Sequence, residues 1–308
     1  MHFAFLFPGQ GAQYPGMGAN YLKEFPYIKE IFLEAGEVLN FDILDLCLNG
    51  PEEKLNLTAN AQPSILTLGY CAFQISQKET DIKPLVLAGH SLGEITALSC
   101  SGAISFPDAL RIVRKRGELM QLAVSRGNGA MLAVNGLSII KVQNLCLADG
   151  ETVISNINSA DQIVISGVKQ RVDEIGRQAR MLGAITIPLK VSAPFHSPFM
   201  KPAAAALESE LSNYRFSKLK YPVISNVTCK PYMDENEIIP LLTEQVTTVV
   251  NWLKIMAYLC KTRVNYTLEL LPKKTLTRLF QNLKNGITCF NFDQLEEIKN
   301  SIAQGIDQ

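Results

Sequence analysis

The sequence predicts an α/β protein in which a small domain interrupts a larger one, and three observations predict it. Residues 1 to about 125 alternate short apolar strands with helix-like segments, a pattern that argues for a parallel sheet covered by helices. Residues 130 to 190 change to the order strand, helix, strand, strand, helix, strand, which is a split βαβ arrangement. The stretches SRGNGA (125–130) and KVSAPFHSP (190–198) lead into and out of that block. The expected division is a discontinuous large subdomain, residues 1–126 and 195–308, with a small subdomain of residues 127–194 inserted in it. A cleft between the two would hold a substrate, since ligand sites favour domain junctions.

Each element has its own local reason. MHFAFLF is too short for a signal-peptide apolar region, lacks a basic start and runs straight into Pro8-Gly9-Gln10-Gly11, so Phe3 to Phe7 reads as a first buried strand. Tyr27 to Leu39 and Ile65 to Gln77 read as helices, and Pro84 to Ala88 as the next strand. Ser105, with Pro107 in the first turn and Asp108 three residues on, marks a helix start at SFPDALRIVRKRGELMQ. Leu110, Val113, Gly117 and Met120 fall on one apolar face of that helix; Arg111, Arg114 and Lys115 point outward as solvated cations. The middle block reads as strands Ala130–Val134, Thr152–Asn156, Gln162–Ser166 and Ala184–Leu189 with helices over 137–147 and 168–181. After residue 200 helices and short strands resume, including YPVISN (221–226) and VNYTLEL (264–270), and the polar tail Asp293 to Gln308 predicts a solvated final helix.

Composition narrows the class. Of 308 residues 47% are apolar, and 29 Lys plus Arg balance 29 Asp plus Glu, so no large field exists to attract a polyanion and no nucleic-acid partner is expected. The seven cysteines are scattered and never form a C-x-x-C pair, which supports neither a disulfide framework nor a zinc site and predicts a reducing, cytoplasmic setting. No stretch is long and apolar enough to span a membrane.

GHSLGE (89–94) stands between the apolar run Pro84–Ala88 and the helix-compatible ITALSC. Strand, G-x-S-x-G turn and helix are the parts of a nucleophile elbow, in which small residues flank a serine on a sharp bend. Ser91 is therefore a candidate nucleophile, and the competing reading is a helix N-cap. A nucleophilic serine needs a base, usually histidine. Of three histidines, His2 precedes the first strand and His90 cannot easily fold its ring onto its neighbour's hydroxyl, which leaves His196. It sits between Pro194 and Pro198, with Ser192 and Ser197 adding polar groups.

Arg116 lies at the apolar face of its helix, three residues after Val113 and four before Met120. A guanidinium so placed needs an anion, which is either a substrate carboxylate or an internal Asp or Glu in a structural ion pair. FPGQGAQ (7–13) puts Gly9, Gln10 and Gly11 at the carboxyl edge of the first strand, where open α/β sheets bind ligands. It is not a phosphate loop, because no G-x-x-x-x-G-K-[ST] is present. It is either a tight strand-to-helix turn or a backbone approach to substrate, with the Gln10 amide orienting a polar group.

FPGQGAQ, GHSLGE, RKRGELM, SNINSADQIVISG, VSAPFHSPFM and PVISNVT, in this order, closely resemble the malonyl-CoA:acyl carrier protein transacylase family over roughly residues 3 to 290. The resemblance implies an α/β-hydrolase-like large subdomain with a parallel sheet and an inserted ferredoxin-like small one. It further implies that Ser91 carries the acyl group, that His196 is its base and that Arg116 binds the free malonyl carboxylate. The N–H groups of Gln10 and Leu92 would form the oxyanion hole, and the backbone carbonyl of Gln245 would orient the histidine, so that a side-chain change at Gln245 should matter little. No metal or other cofactor is implied; the partners are malonyl-CoA and a phosphopantetheine-bearing carrier protein. Phe195 before His196 and Leu92 after Ser91 resemble malonyl-selective, stand-alone polyketide synthase acyltransferases, where a bulky Phe disfavours an α-methyl branch. The alternatives are a fatty-acid malonyl transacylase, a serine acyl hydrolase of the same superfamily and a non-catalytic docking subunit. One departure stands out. Where the family has E-x-G-P-G after its late strand, this chain reads Glu269-Leu270-Leu271-Pro272-Lys273, which affects the local turn and carrier contacts.

Overall fold

The computed structural model describes residues 1–303 apart from 124–127, 148–149, 192 and 284–285. In chain order the strands are β1 (Phe3–Phe7), β2 (Pro84–Gly89), β3 (Gly129–Asn135), β4 (Thr152–Ile157), β5 (Gln162–Val168), β6 (Ile185–Pro188), β7 (Val223–Ile224), β8 (Tyr266–Glu269) and β9 (Thr288–Asn291). A parallel sheet has the order β7-β2-β1-β8-β9, and an antiparallel one the order β4-β5-β3-β6.

The parallel sheet is covered on both sides, and β1 explains why. Every residue of FAFLF is buried; Phe3, Phe5 and Phe7 join one core cluster and Ala4 and Leu6 another, as the two-residue period of a strand requires. Helices Thr58–Glu79 and Phe106–Leu122 lie on the phenylalanine side, and helices Trp252–Leu259 and Thr275–Asn282 on the other. The register pairs Phe7 with Gly89 and Leu6 with Glu269, so the turns after β1, β2 and β8 emerge along one edge. That edge holds the candidate site.

The antiparallel sheet has its own core, in which Val134, Ile163 and Ile165 meet Val142 and Ile175 of helices Ile139–Cys146 and Lys169–Met181. Its strand, helix, strand, strand, helix, strand order is the one read from residues 130 to 190. The expected boundary at 126/127 lies outside the described residues, as does Ser192. Strand β4 is tied to the segment before helix Trp252–Leu259, where Ile157 N–H donates to Val250 O at 3.0 Å and Val250 N–H to Ser155 O at 2.9 Å.

Three expectations need correction. The helix expected over Ile65–Gln77 spans Thr58–Glu79 and contains Pro63. Proline cannot donate to the carbonyl four residues back, and that carbonyl, Ala59 O, instead accepts from Arg114 at 3.0 Å. Arg114 is therefore not a bland solvated cation: it completes this helix and also donates to Glu118 at 2.9 Å. The final helix, Leu295–Ala303, is not wholly solvated, because Leu295 and Ile298 are buried in the main core.

Candidate active site

Ser91 sits on a bend that only its neighbours make possible. Its φ of 52° and ψ of −106° are strained for a residue with a side chain. A Cβ on Gly89 would lie 1.9 Å from the Gly93 carbonyl carbon, and one on Gly93 would lie 1.9 Å from Phe7 O, so both positions exclude any larger residue. Asn226, just beyond β7, clamps the bend: its Oδ1 accepts from Ser91 N–H at 2.7 Å and its Nδ2 donates to Gly89 O at 2.7 Å. Helix Leu92–Cys100 then starts directly beneath the hydroxyl.

Two predicted residues, His196 and Arg116, converge on Ser91 Oγ. His196 Nε2 lies 2.8 Å away, and its Nδ1 lies 2.9 Å from the backbone carbonyl of Gln245. His196 has a positive φ of 55° between its two prolines. Burial first, and then the Arg116 cation, push its pKa down to about 3, so the ring is held neutral. Because the Gln245 carbonyl can only accept, Nδ1 carries the proton and Nε2 is left as the acceptor toward Ser91. Arg116, 2% exposed, donates from Nη2 to Ser91 Oγ at 3.1 Å and to Gln245 Oε1 at 2.9 Å, and from Nη1 to Gln62 Oε1 at 3.0 Å. Gly117 lets its helix come this close, since a Cβ there would lie 2.7 Å from Ala59 Cα. Burial pushes Arg116 down to about 10, opposed by Glu94, and it has no ion pair among the described residues. Of the two readings of this cation, the direct structural ion pair is absent.

Gln10 and Leu92 both line the cleft, and among the described residues neither N–H donates to another backbone group. The Gln10 side chain is already engaged, donating to Thr58 Oγ1 at 3.2 Å, so it is the backbone that faces the cleft unclaimed. Phe195 is buried and forms part of the wall beside His196. The cleft, of about 530 Å³, runs between the sheets, with Met131, Asn158 and Val164 on one wall and Lys273 and Leu276 on another. Among the described residues no cluster of three or more His, Cys, Asp or Glu is placed to hold a metal ion, and no helix is long and apolar enough to cross a membrane.

Four participants escaped the sequence reading. Gln62 and Asn226 touch Arg116 and Ser91, and behind them Glu94, fully buried, accepts from Gln245 Nε2 at 2.6 Å, from Asn226 N–H at 3.0 Å and from the Tyr232 hydroxyl. Burial pushes Glu94 up to about 7 against the pull of these donors. The available signal was a carboxylate in the otherwise apolar run LGEITALSC. The small role expected for the Gln245 side chain is also corrected, since its amide binds Arg116, Glu94 and Ser91 O together.

The acyl transferase domain family matches residues 4–249. The malonyl CoA-acyl carrier protein transacylase of Escherichia coli K12 is 39% identical over 291 residues, 93% of this chain and 94% of that protein. The solved structure of the malonyl CoA-acyl carrier protein transacylase from Coxiella burnetii superposes with a TM-score of 0.93 at 34% identity, covering 97% of each chain. A malonyl-transacylase solved in complex with its type II PKS acyl-carrier protein gives 0.90 at 37% identity, covering 94% of this chain and 95% of that one.

Proposed function

Since the chain belongs to the malonyl-CoA:acyl carrier protein transacylase family, we propose that it moves a malonyl group from malonyl-CoA to a carrier protein's phosphopantetheine thiol through an ester on Ser91. In this reading Ser91 Oγ attacks the thioester carbonyl as its proton passes to His196 Nε2. The Gln10 and Leu92 N–H groups take the developing oxyanion, and CoA leaves with the proton from His196. The carrier thiol then attacks the ester, His196 accepts the thiol proton and returns it to Ser91 Oγ. The Gln245 carbonyl holds His196 Nδ1–H throughout, Phe195 limits the α-substituent and Arg116 holds the free malonyl carboxylate. The cleft lies between the discontinuous large subdomain and the small one near residues 127–194.

The observation that carries this reading is the 3.1 Å contact of Arg116 with Ser91 Oγ, made by a buried cation with no ion pair among the described residues. An acyl group on Ser91 that ends in a carboxylate supplies the missing anion at that position. For the pathway, we favour malonyl supply to fatty-acid synthesis, because the Bacillus subtilis and Escherichia coli relatives bear the general transacylase name. Polyketide assembly is the second reading, supported by the similarity to the transacylase of a type II PKS carrier protein and by Phe195. Buried free thiols at Cys47, Cys71 and Cys100 support a reducing, cytoplasmic setting.

Intact mass measurement after mixing with malonyl-CoA tests the reaction. The expected result is a stable malonyl adduct that disappears when a phosphopantetheine-bearing carrier protein is added and reappears on the carrier. Rapid release of free malonate without a carrier would make the protein a hydrolase, and no adduct at all would remove the acyl-enzyme.

A further inference from the structure

Glu94 takes no part in the chemistry above, yet the groups that hold the nucleophile and the cation all lead back to it. One of its oxygens accepts from both Gln245 Nε2 and Asn226 N–H, and the other accepts from the Tyr232 hydroxyl. Gln245 Nε2 also donates to Ser91 O at 3.1 Å, and Asn226 Oδ1 accepts from Ser91 N–H at 2.7 Å, so one carboxylate anchors the residues that grip both sides of the nucleophile's peptide backbone.

A glutamine amide has a donating end and an accepting end, whereas a carboxylate only accepts and a guanidinium only donates. With Nε2 held by Glu94, Gln245 Oε1 is turned to Arg116 at 2.9 Å. Were the amide reversed, its N–H groups would face a cation and its oxygen a carboxylate, two repulsive contacts in a buried place. The same arrangement puts neutral acceptors, not a carboxylate, against Arg116, so no internal anion competes with a substrate carboxylate for the guanidinium.

We propose that Glu94 is a positioning residue: through the Gln245 amide it aims Arg116 at the acyl group on Ser91 while leaving the guanidinium open to a substrate carboxylate. This rests on the malonyl reading and adds to it the residue that sets the selectivity for a free carboxylate.

Two variants separate reach from charge. Glu94→Asp keeps the charge but withdraws the oxygens by one methylene from Gln245 and Asn226. Glu94→Gln keeps the reach, since the Tyr232 hydroxyl can turn to accept from the new amide, but removes the charge. The measurement is kcat/KM with malonyl-CoA and with acetyl-CoA, which has no free carboxylate, together with the melting temperature. Misplacement of order 1 Å can cost about 100-fold, so Glu94→Asp is expected to lower the malonyl-to-acetyl ratio by roughly 10- to 100-fold, mainly through KM for malonyl-CoA. Glu94→Gln is expected to hold the ratio within about threefold. The opposite pattern would make Glu94 a counter-charge, and an unchanged ratio in both variants with a lower melting temperature would make it merely structural; either overturns the proposal. A wild-type enzyme that takes no malonyl group would overturn the malonyl reading and this inference with it, whereas one that does, with Glu94→Asp unchanged, overturns this inference alone.

Discussion

Two strand-to-helix turns leave the same edge of the parallel sheet, Gly89–Glu94 after β2 and Glu269–Thr277 after β8, and each buries a carboxylate completely. Glu269 uses its own locally: Oε1 accepts from Thr275 N–H and Leu276 N–H at 3.0 Å, and Oε2 accepts from Thr277 N–H at 2.8 Å and Thr277 Oγ1 at 2.7 Å. All four donors lie within eight residues and belong to the first turn of the following helix, so this carboxylate is a helix cap. Glu94 uses its own at long range, binding Asn226, Tyr232 and Gln245 from segments more than 130 residues away. Equal burial thus says little about role; the reach of the partners does. The turn after β8 is also where the chain departs from the family's E-x-G-P-G, and here Lys273 crosses to donate to Gly11 O at 3.0 Å. Its sequence can vary because the cap needs only Glu269 and three successive backbone N–H groups.

The comparison is broken most severely at the nucleophile. Ser91→Ala should abolish the malonyl adduct, and His196→Ala should be nearly as damaging because the two act as a unit, with losses on the order of 10⁴ to 10⁶ in kcat. Intact mass of each variant after malonyl-CoA reads this directly, and an acylated Ser91→Ala protein would refute the assignment.

Arg116→Ala comes next and tests whether the elbow's cation belongs to substrate or to fold. Malonyl transfer should weaken by ~2 to 5 kcal/mol while acetyl transfer holds or improves, since acetyl-CoA no longer meets an uncompensated buried cation. Equal loss on both thioesters with a large fall in melting temperature would return Arg116 to a structural role.

Phe195→Ser should act on the acyl group alone. Discrimination of one methyl is worth about 1 to 3 kcal/mol, so the methylmalonyl-to-malonyl ratio of kcat/KM should rise by roughly 10- to 200-fold. An unchanged ratio would take Phe195 out of selectivity.

The smallest effect on activity is expected at the second turn, which sharpens the contrast most. Glu269→Gln puts N–H groups where backbone donors now point and should cost about 1 to 3 kcal/mol of stability. The malonyl-to-acetyl ratio should not move. A thermal melt alongside the two kcat/KM values checks both halves, and a shifted ratio would show that this turn also serves the site.

What the sequence by itself determined is what local geometry demands. Alternating apolar strands and helical faces announced the two sheets, because a two-residue and a 3.6-residue period are properties of neighbouring residues. Gly89 and Gly93 announced the elbow, because no other residue fits within 2 Å of a carbonyl. A census of three histidines pointed to His196, and a cation on an apolar face pointed to Arg116, because burying either without a purpose is costly. Tertiary structure alone decided which polar groups compensate one another. Nothing near Pro63 indicates that its missing hydrogen bond is replaced by Arg114, and nothing near Glu94 names Gln245, 151 residues away, as the amide through which it meets Arg116. A buried polar atom must have a partner, but the chain does not say which; packing brings the partner from any distance, so the requirement is local while the answer is not.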